Sequence, residues 1–135
     1  RILKSDTSPD AVVGELEVGI QPTSLVIDRN GKMWTITDGG YDGSPYGYEA
    51  PSLYRIDAET FRVEREFPFA LGDDPTEVQI NGAGNKIYWL NEDVWEMDVE
   101  APSWSSVRRY ITALRSIPAR ARSMLPMLST ISSRV

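Results

Sequence analysis

The sequence contains no cysteine and no histidine. Without cysteine there are no disulfides, and cysteine usage gives no information about the redox compartment. Without histidine the chain lacks the commonest zinc ligand and the usual general base near neutral pH. It also has no G-x-S-x-G nucleophile elbow, no G-x-x-x-x-G-K-[ST] phosphate loop and no apolar run long enough for a spanning helix. The sequence therefore predicts no catalytic residue, no transmembrane segment and no enzyme.

Acidic residues are missing from the C-terminal part of the chain. Residues 1–103 carry eight Lys/Arg and all twenty Asp/Glu, a net charge of −12, whereas residues 104–135 carry six Arg, seven Ser and no acid. Because phosphate contacts need positive charge, the acidic part argues against a nucleic-acid partner. The composition, 41% hydrophobic and 25% charged, is typical of a globular domain.

A Pro-Thr step occurs twice, and the sequence that follows it is similar in both copies. Residues 22–28 (PTSLVID) are echoed 53 positions later by residues 75–81 (PTEVQIN). Residues 28–34 then match residues 81–88 with one insertion. A period in this range is the signature of a repeat architecture.

Each copy predicts short strands separated by turns. The first copy predicts strands at residues 25–27, 32–37, 53–56 and 61–67, with a hairpin turn at residues 28–31. The second predicts strands at residues 78–81, 85–90 and 94–98. Four short antiparallel strands per repeat of about 50 residues predict the blade of a β-propeller. The alternative is an ordinary meander or sandwich with chance similarity between the copies.

The predicted fold class is all-β, with about two four-stranded antiparallel propeller blades and a non-native helical or disordered tail. We predict a connector at residues 1–11, a partial propeller at 12–102 with blades at roughly 12–70 and 71–102, and an Arg/Ser-rich tail at 103–135. The matching aromatic pairs Trp34/Tyr88 and Tyr54/Trp95 are predicted to pack blade against blade. The charged residues 64–66 predict an outer-edge strand, where charge discourages pairing with other sheets.

Four segments carry a resemblance to a known family: residues 22–28, 30–34, 52–60 and 86–91. They resemble the YVTN/YncE-like surface propellers, and more closely the DUF5074-type propellers exported by Bacteroides-like bacteria. The resemblance covers roughly residues 12–100 and implies a fragment of an extracytoplasmic protein of the cell envelope, whose remaining blades are missing here. Because the broader group includes BtuG-type lipoproteins that capture vitamin B12, it also implies a corrinoid as a candidate ligand. No residue singles out a corrinoid, and no cofactor is predicted.

The tail departs from the family pattern, since no strand of a third blade is recognisable after Pro102. When residues 110–135 are read in the next frame with favourable synonymous codons, an apolar strand, a turn and a Val-Tyr-Val-Ala-Asp strand reappear. We therefore predict a frameshift, which the coding DNA would test. The alternative is a genuine helical appendage lined by apolar residues such as Ile111 and Leu114, although Pro118 and Pro126 would interrupt it.

The long loop at residues 37–51 is the most site-like stretch. In a propeller blade it leaves the sheet on the same side as residues 68–75 and 91–93, so these segments are expected to share one rim. The predicted ligand-binding residues are Asp38, Tyr41, Asp42, Tyr46, Tyr48, Glu49, Asp74 and Asn91. Tyrosines offer a flat apolar body with a hydroxyl, and carboxylates offer acceptors. The alternative is a surface loop packed by its own tyrosines.

No metal site is predicted, because the D-x-x-x-D-G spacing of Asp38 and Asp42 lacks the alternating ligands of a calcium loop. The predicted function is a non-enzymatic binding module that takes a small molecule or an envelope partner protein through its rim loops. The alternatives are a structural or adhesion-type surface propeller without a small ligand, and a non-functional truncated product.

Overall fold

A computed structural model of the chain describes residues 1–110, and nearly all of their regular secondary structure is β-strand. The strands are β1 (Ile2–Asp6), β2 (Ala11–Leu16), β3 (Pro22–Ile27), β4 (Lys32–Thr37), β5 (Ser52–Asp57), β6 (Arg62–Pro68), β7 (Gln79–Ile80), β8 (Lys86–Asn91), β9 (Asp93–Asp98) and β10 (Arg108–Arg109). A 3₁₀ turn at Trp104–Ser106 precedes β10. Within residues 1–110 we find no helix with the length and apolar character needed to cross a membrane.

The strands form two four-stranded antiparallel meanders and a separate hairpin. The first sheet has the strand order β3-β4-β5-β6, and the second has the strand order β7-β8-β9-β10. The hairpin consists of β1 and β2, which pair only with each other. The predicted all-β fold class with blade-like antiparallel sheets is thereby confirmed. The predicted frameshifted or helical tail falls, from residue 111 onward, outside the described residues.

The first half of the predicted connector at residues 1–11 forms strand β1. Polar side chains hide this strand from pattern reading, since only Ile2 of β1 is partly buried. Ile2 packs with Leu16 and Val18 against the first sheet. Because β2 pairs only with β1, the first blade-like sheet begins at Pro22 rather than at residue 12.

The predicted tail, which begins at residue 103, contains the last strand of the second sheet. The second sheet takes its fourth strand from Arg108 and Arg109, which pair with Glu96 and Trp95 of β9. Trp104 packs against aromatic rings of both sheets. A two-residue strand carries no alternation that sequence reading could detect, and its position depends on where Trp104 is buried.

The repeated turns explain why both copies make the same hairpin. Asp28 Oδ1 accepts hydrogen bonds from the backbone N–H groups of Asn30 and Lys32, at 2.8 and 3.0 Å. In the second copy, Asn81 Oδ1 accepts the backbone N–H of Lys86 at 3.1 Å. Asn and Asp side chains stabilise turns in this way because they replace a backbone acceptor. The turn chemistry therefore fixes where β3 meets β4 and where β7 meets β8.

The main core lies between the two sheets. Its fully or nearly buried residues are Trp34, Ile36, Leu53 and Phe67 from the first sheet, and Val78, Ile87, Trp89, Met97 and Val99 from the second sheet and its flanking segments. Burying such a side chain contributes about 1.5–3 kcal/mol relative to leaving it exposed. Polar contacts join the sheets as well, including an Arg29–Glu100 ion pair at 2.7 Å.

The opposite face of the first sheet is covered by the hairpin. Met33, Tyr54 and Ile56 form a second cluster there, against residues of β1 and β2. The first sheet is thus sandwiched between the hairpin and the second sheet. Trp34 packs against the second sheet as predicted, and its counterpart Tyr88 is buried beside Val94.

Candidate functional site

Three connections leave the sheets at one end, as the sequence predicts. Strand register places Thr37 opposite Ser52 and Ser52 opposite Pro68, so the long loop and the segment after β6 emerge together. Asn91 lies opposite Asp93 at the β8–β9 turn of the second sheet. A hydrogen bond of 2.8 Å from the Thr76 N–H to the Leu90 carbonyl joins the inter-sheet connection to β8. We call this end of the two sheets the rim.

A cavity of about 320 Å³ opens against the second sheet near the rim, beside the connection between the two sheets. Its lining residues are Phe69, Asp73, Trp89, Asn91, Trp95, Trp104 and Val107, and we call it the aromatic pocket. Its volume lies at the lower end of the range of about 300–1,000 Å³ seen for small-molecule sites. Three of the four tryptophans of the chain line it.

Three rings of the aromatic pocket stand at steep angles to one another. Phe69 meets Trp89 at 71° and Trp104 at 69°, and Trp89 meets Trp104 at 73°. The ring centroids lie 5.2–6.2 Å apart, which is the edge-to-face arrangement that aromatic quadrupoles favour. The rings therefore support one another as rigid walls, and Trp104 remains 42% exposed at the opening.

Two polar residues complete the lining. The Asp73 carboxylate is oriented by the Ala70 N–H, which donates to Oδ2 at 2.9 Å. The Trp95 indole N–H donates to the backbone oxygen of Asn91 at 3.0 Å, which fixes the ring and leaves the Asn91 amide group as a separate polar group. The pocket thus combines a large aromatic surface with one carboxylate and one amide.

A positive charge already lies beside the aromatic pocket. The guanidinium of Arg109 is 5.8 Å from the centroid of the Trp95 ring, within the range of a cation–π contact. The same guanidinium forms an ion pair with the nearly buried carboxylate of Asp93. Asp93 therefore offsets the charge of Arg109 next to the pocket.

The long loop is shaped by glycines with positive φ at Gly39, Gly40, Gly43 and Gly47. An isolated bridge between Gly40 and Tyr48 closes its base. The side chains of Tyr41, Tyr46 and Tyr48 are 61%, 82% and 44% exposed. The loop is therefore not packed by its own tyrosines, and it presents them to solvent. We call residues 38–51 the tyrosine loop.

The acidic residues of the tyrosine loop hold its own backbone and its neighbour. Asp38 Oδ1 accepts the Gly40 N–H at 2.8 Å, and Glu49 Oε1 accepts the Ile20 N–H at 2.7 Å. Asp42 is exposed at the tip. Glu49 also lines two neighbouring open cavities of about 580 and 590 Å³, between this loop and the segment after β2. These roles position the loop and leave Asp42 and the tyrosines for contacts with a partner protein.

Two buried tyrosines contact carboxylates near these surfaces. Burial, and then the hydrogen bond to Glu66 at 3.0 Å, raise the pKa of Tyr54 above its usual value. Burial and the nearby Glu96 raise the pKa of Tyr88 in the same direction. Both phenols therefore stay protonated and act as hydrogen-bond donors at any physiological pH.

The predicted site residues are only partly brought together. Asp38, Tyr41, Asp42, Tyr46, Tyr48 and Glu49 share the tyrosine loop, whereas Asn91 lines the aromatic pocket. Asp74 is exposed, and its neighbour Asp73 lines the pocket instead. Sequence reading missed Phe69, Trp89, Trp95 and Trp104 as site residues. The available signal was the clustering of tryptophan after residue 88, of which we interpreted Trp95 as blade packing and Trp104 as part of the tail.

Among residues 1–110 no group of three or more acidic side chains is arranged to hold a metal ion. Comparison with models of known protein families finds no match, and comparison with curated proteins finds no similar sequence.

Proposed function

We propose that the chain is a non-enzymatic binding module that takes a small molecule in the aromatic pocket. The observation that carries this proposal is the convergence of Phe69, Trp89, Trp95 and Trp104 on one cavity with Asp73 and Asn91. An apolar concave site with a few polar groups is the usual form of a small-molecule site. The rim position agrees with the family resemblance, which further supports an extracytoplasmic module within a larger propeller.

The binding test uses the intact 135-residue chain and its own tryptophan fluorescence. Because three of four tryptophans line the pocket, a bound molecule should shift the emission in a saturable way. The panel contains corrinoids, mono- and disaccharides, neutral aromatic compounds and small organic ions, with calorimetry as the second readout. Trp104→Leu should weaken binding, and Tyr46→Ala, on the exposed tyrosine loop, should leave it unchanged. A folded chain that gives no saturable signal with any compound would refute the proposal.

A second candidate is a structural or adhesion-type function in which the tyrosine loop binds a partner protein. Exposed tyrosines are enriched at protein interfaces because they bury a large area at a small entropic cost. The test is binding of a purified envelope protein to the wild-type chain and to the Tyr41→Ser/Tyr46→Ser double variant. Loss of binding in the double variant, with ligand binding in the aromatic pocket absent, would favour this candidate over the first.

A further inference from the structure

We propose that the ligand class of the aromatic pocket is a small organic cation with a methylated ammonium group. This inference rests on the proposed function and names the chemistry of the same site. It depends on the ring geometry, the carboxylate of Asp73 and the small number of polar groups in the lining.

The ring geometry suits a cation without hydrogen-bond donors. A quaternary ammonium group is attracted to the negative faces of aromatic rings, and tryptophan attracts cations best. Phe69, Trp89 and Trp104 meet at 69–73°, so they form adjoining walls rather than one flat platform. Walls at these angles can contact several methyl groups of one ammonium centre at the same time. A flat neutral ring would stack on one wall only.

The carboxylate of Asp73 supplies the charge complement. Its Oδ2 accepts a hydrogen bond from the Ala70 N–H at 2.9 Å. The other carboxylate oxygen of Asp73, Oδ1, has no hydrogen-bond partner among the described residues. Oδ1 therefore carries negative charge that no described donor neutralises. The chain adds to this field, because its overall net charge is −6. A cation near Asp73 is favoured both by the local carboxylate and by the overall charge.

The scarcity of polar groups separates this class from a carbohydrate. A sugar carries many hydroxyl groups, each of which needs a hydrogen-bond partner when it is buried. The lining offers two polar side chains, Asp73 and Asn91, beside four aromatic rings and Val107. A quaternary ammonium ion has no N–H to satisfy, so this apolar lining costs it less.

The existing contact of Arg109 with Trp95 is consistent with the proposal. Its guanidinium lies 5.8 Å from the Trp95 ring, which shows a cation accommodated at one edge of this cluster. The Asp93 carboxylate forms an ion pair with that guanidinium, so Arg109 repels a second cation less strongly. The partly exposed rings of Phe69 and Trp104 remain for the ligand, with the buried Trp89 packed behind them.

The test compares choline and tetramethylammonium with 3,3-dimethylbutan-1-ol, a neutral compound of the same shape as choline. The intact chain is titrated at constant ionic strength, and binding is followed by tryptophan fluorescence and calorimetry. We expect saturable binding of both cations, and binding of the neutral compound at least about tenfold weaker, since it lacks the charge on which a cation–π contact depends. Glucose is expected to give no saturable signal.

Matched variants separate the carboxylate from general acidity. Asp73→Asn should weaken choline binding severalfold, because it removes the charge and keeps an acceptor for the Ala70 N–H. Asp74→Asn removes the same charge from the exposed neighbouring residue and should leave choline binding unchanged. Circular dichroism confirms that each variant is folded before binding is compared.

Three outcomes would overturn the inference. Equal affinity for choline and its neutral analogue would show an uncharged apolar site, and the proposed binding function would stand without its cationic ligand. Saturable binding of glucose without choline binding would replace the class with a carbohydrate. No saturable binding of any compound in the panel by the folded chain would refute the inference together with the proposed function.

Discussion

The side-chain oxygen of Ser24 accepts a hydrogen bond from the backbone N–H of Val78 at 2.8 Å. Ser24 belongs to the first copy of the repeated segment and Val78 to the second, so the two copies touch each other. Val78 is 1% exposed. Its N–H therefore depends on Ser24 rather than on solvent, and one hydroxyl group links the two blade-like sheets.

Removing this hydroxyl should destabilise the fold. We expect Ser24→Ala to lower the free energy of unfolding by about 1–3 kcal/mol, the usual cost of an unsatisfied buried donor. Urea unfolding of both proteins measures the difference. Thr23→Ala is the control, because the Thr23 hydroxyl bonds Ile36 within its own sheet and its loss leaves Val78 satisfied. Equal effects of the two substitutions would contradict the inter-sheet role of Ser24.

Asp28 should require both of its carboxylate oxygens. Oδ1 holds the turn, and Oδ2 accepts the indole N–H of the buried Trp34 at 2.8 Å. Asp28→Asn replaces one acceptor oxygen with an NH₂ donor. We therefore expect the free energy of unfolding, measured by thermal or urea unfolding, to fall by about 1–3 kcal/mol. The exposed Asp6→Asn, where only Oδ1 is used, should change stability by less than about 0.5 kcal/mol. An Asp28→Asn protein as stable as wild type would show that the hydrogen bond to the Trp34 indole does not stabilise the fold.

Trp104 should contribute to the stability of the whole fold, although it lies in the segment that the sequence assigns to the tail. Its ring contacts Phe67, Phe69 and Trp89 with centroids 5.2–6.2 Å away. We expect Trp104→Ala to lower the free energy of unfolding by about 1–3 kcal/mol. This is less than for a fully buried tryptophan, because the Trp104 side chain is partly exposed. Tyr46→Ala, at a side chain 82% exposed, should stay within about 0.5 kcal/mol. A Trp104→Ala protein as stable as wild type would place residue 104 outside the fold.

Gly39 and Gly43 allow a matched test of the tyrosine loop, since both have positive φ, at +78° and +84°. A Cβ at Gly43 meets nothing within 4 Å, so Gly43→Ala should cost only the left-handed backbone penalty of about 1–2 kcal/mol. A Cβ at Gly39 would lie 2.2 Å from the backbone oxygen of Glu49, which cannot move freely. Gly39→Ala should therefore destabilise clearly more than Gly43→Ala in urea unfolding. The reverse order would show that the loop is not held as described.

The Lys32–Asp57 ion pair should make stability depend on pH at both extremes. The Lys32 ammonium, 2.5 Å from Asp57 Oδ2, and then the Thr60 backbone N–H lower the pKa of Asp57 below its usual range. The contribution of Asp57 is therefore complete above its unfolded pKa of about 4 and is lost as the pH falls below that value. Asp57 and Glu64 raise the pKa of Lys32, so its contribution is complete below its unfolded pKa of about 10.4 and is lost as the pH rises through its raised folded value.

Urea unfolding midpoints of wild type and Asp57→Asn between pH 3 and 7 test the acidic side of this dependence. The difference between the two proteins should be constant near neutral pH and should shrink below about pH 4. Glu59→Gln makes the same change of charge at an exposed side chain of the same turn and serves as the control. A difference that grows on acidification would contradict the assigned direction of the Asp57 pKa.

The sequence predicted the strands of the two sheets well because their signals are local. The turns at Asp28 and Asn81 are set by side chains that bond their own backbone, and strands β4, β5, β8 and β9 are rich in aromatic and large aliphatic residues. It failed at β1 and β10, where polar strands pair without an apolar pattern. It also failed for the aromatic pocket, because Trp95 carries the same sequence signal whether it packs in a core or lines a cavity.

By itself, the sequence determined that this chain is an all-β protein with a repeated four-stranded unit and one rim of connecting loops. These features follow from turn chemistry and from the spacing of apolar residues, which act over a few positions of the chain. Only the tertiary structure decided which residues face each other across the two sheets. Phe69, Trp89 and Trp104 come from three separate segments and meet because the sheets bury their facing sides against each other. Burial depends on the whole packed molecule, so neither the aromatic pocket nor the part played by Trp104 could be derived from local patterns.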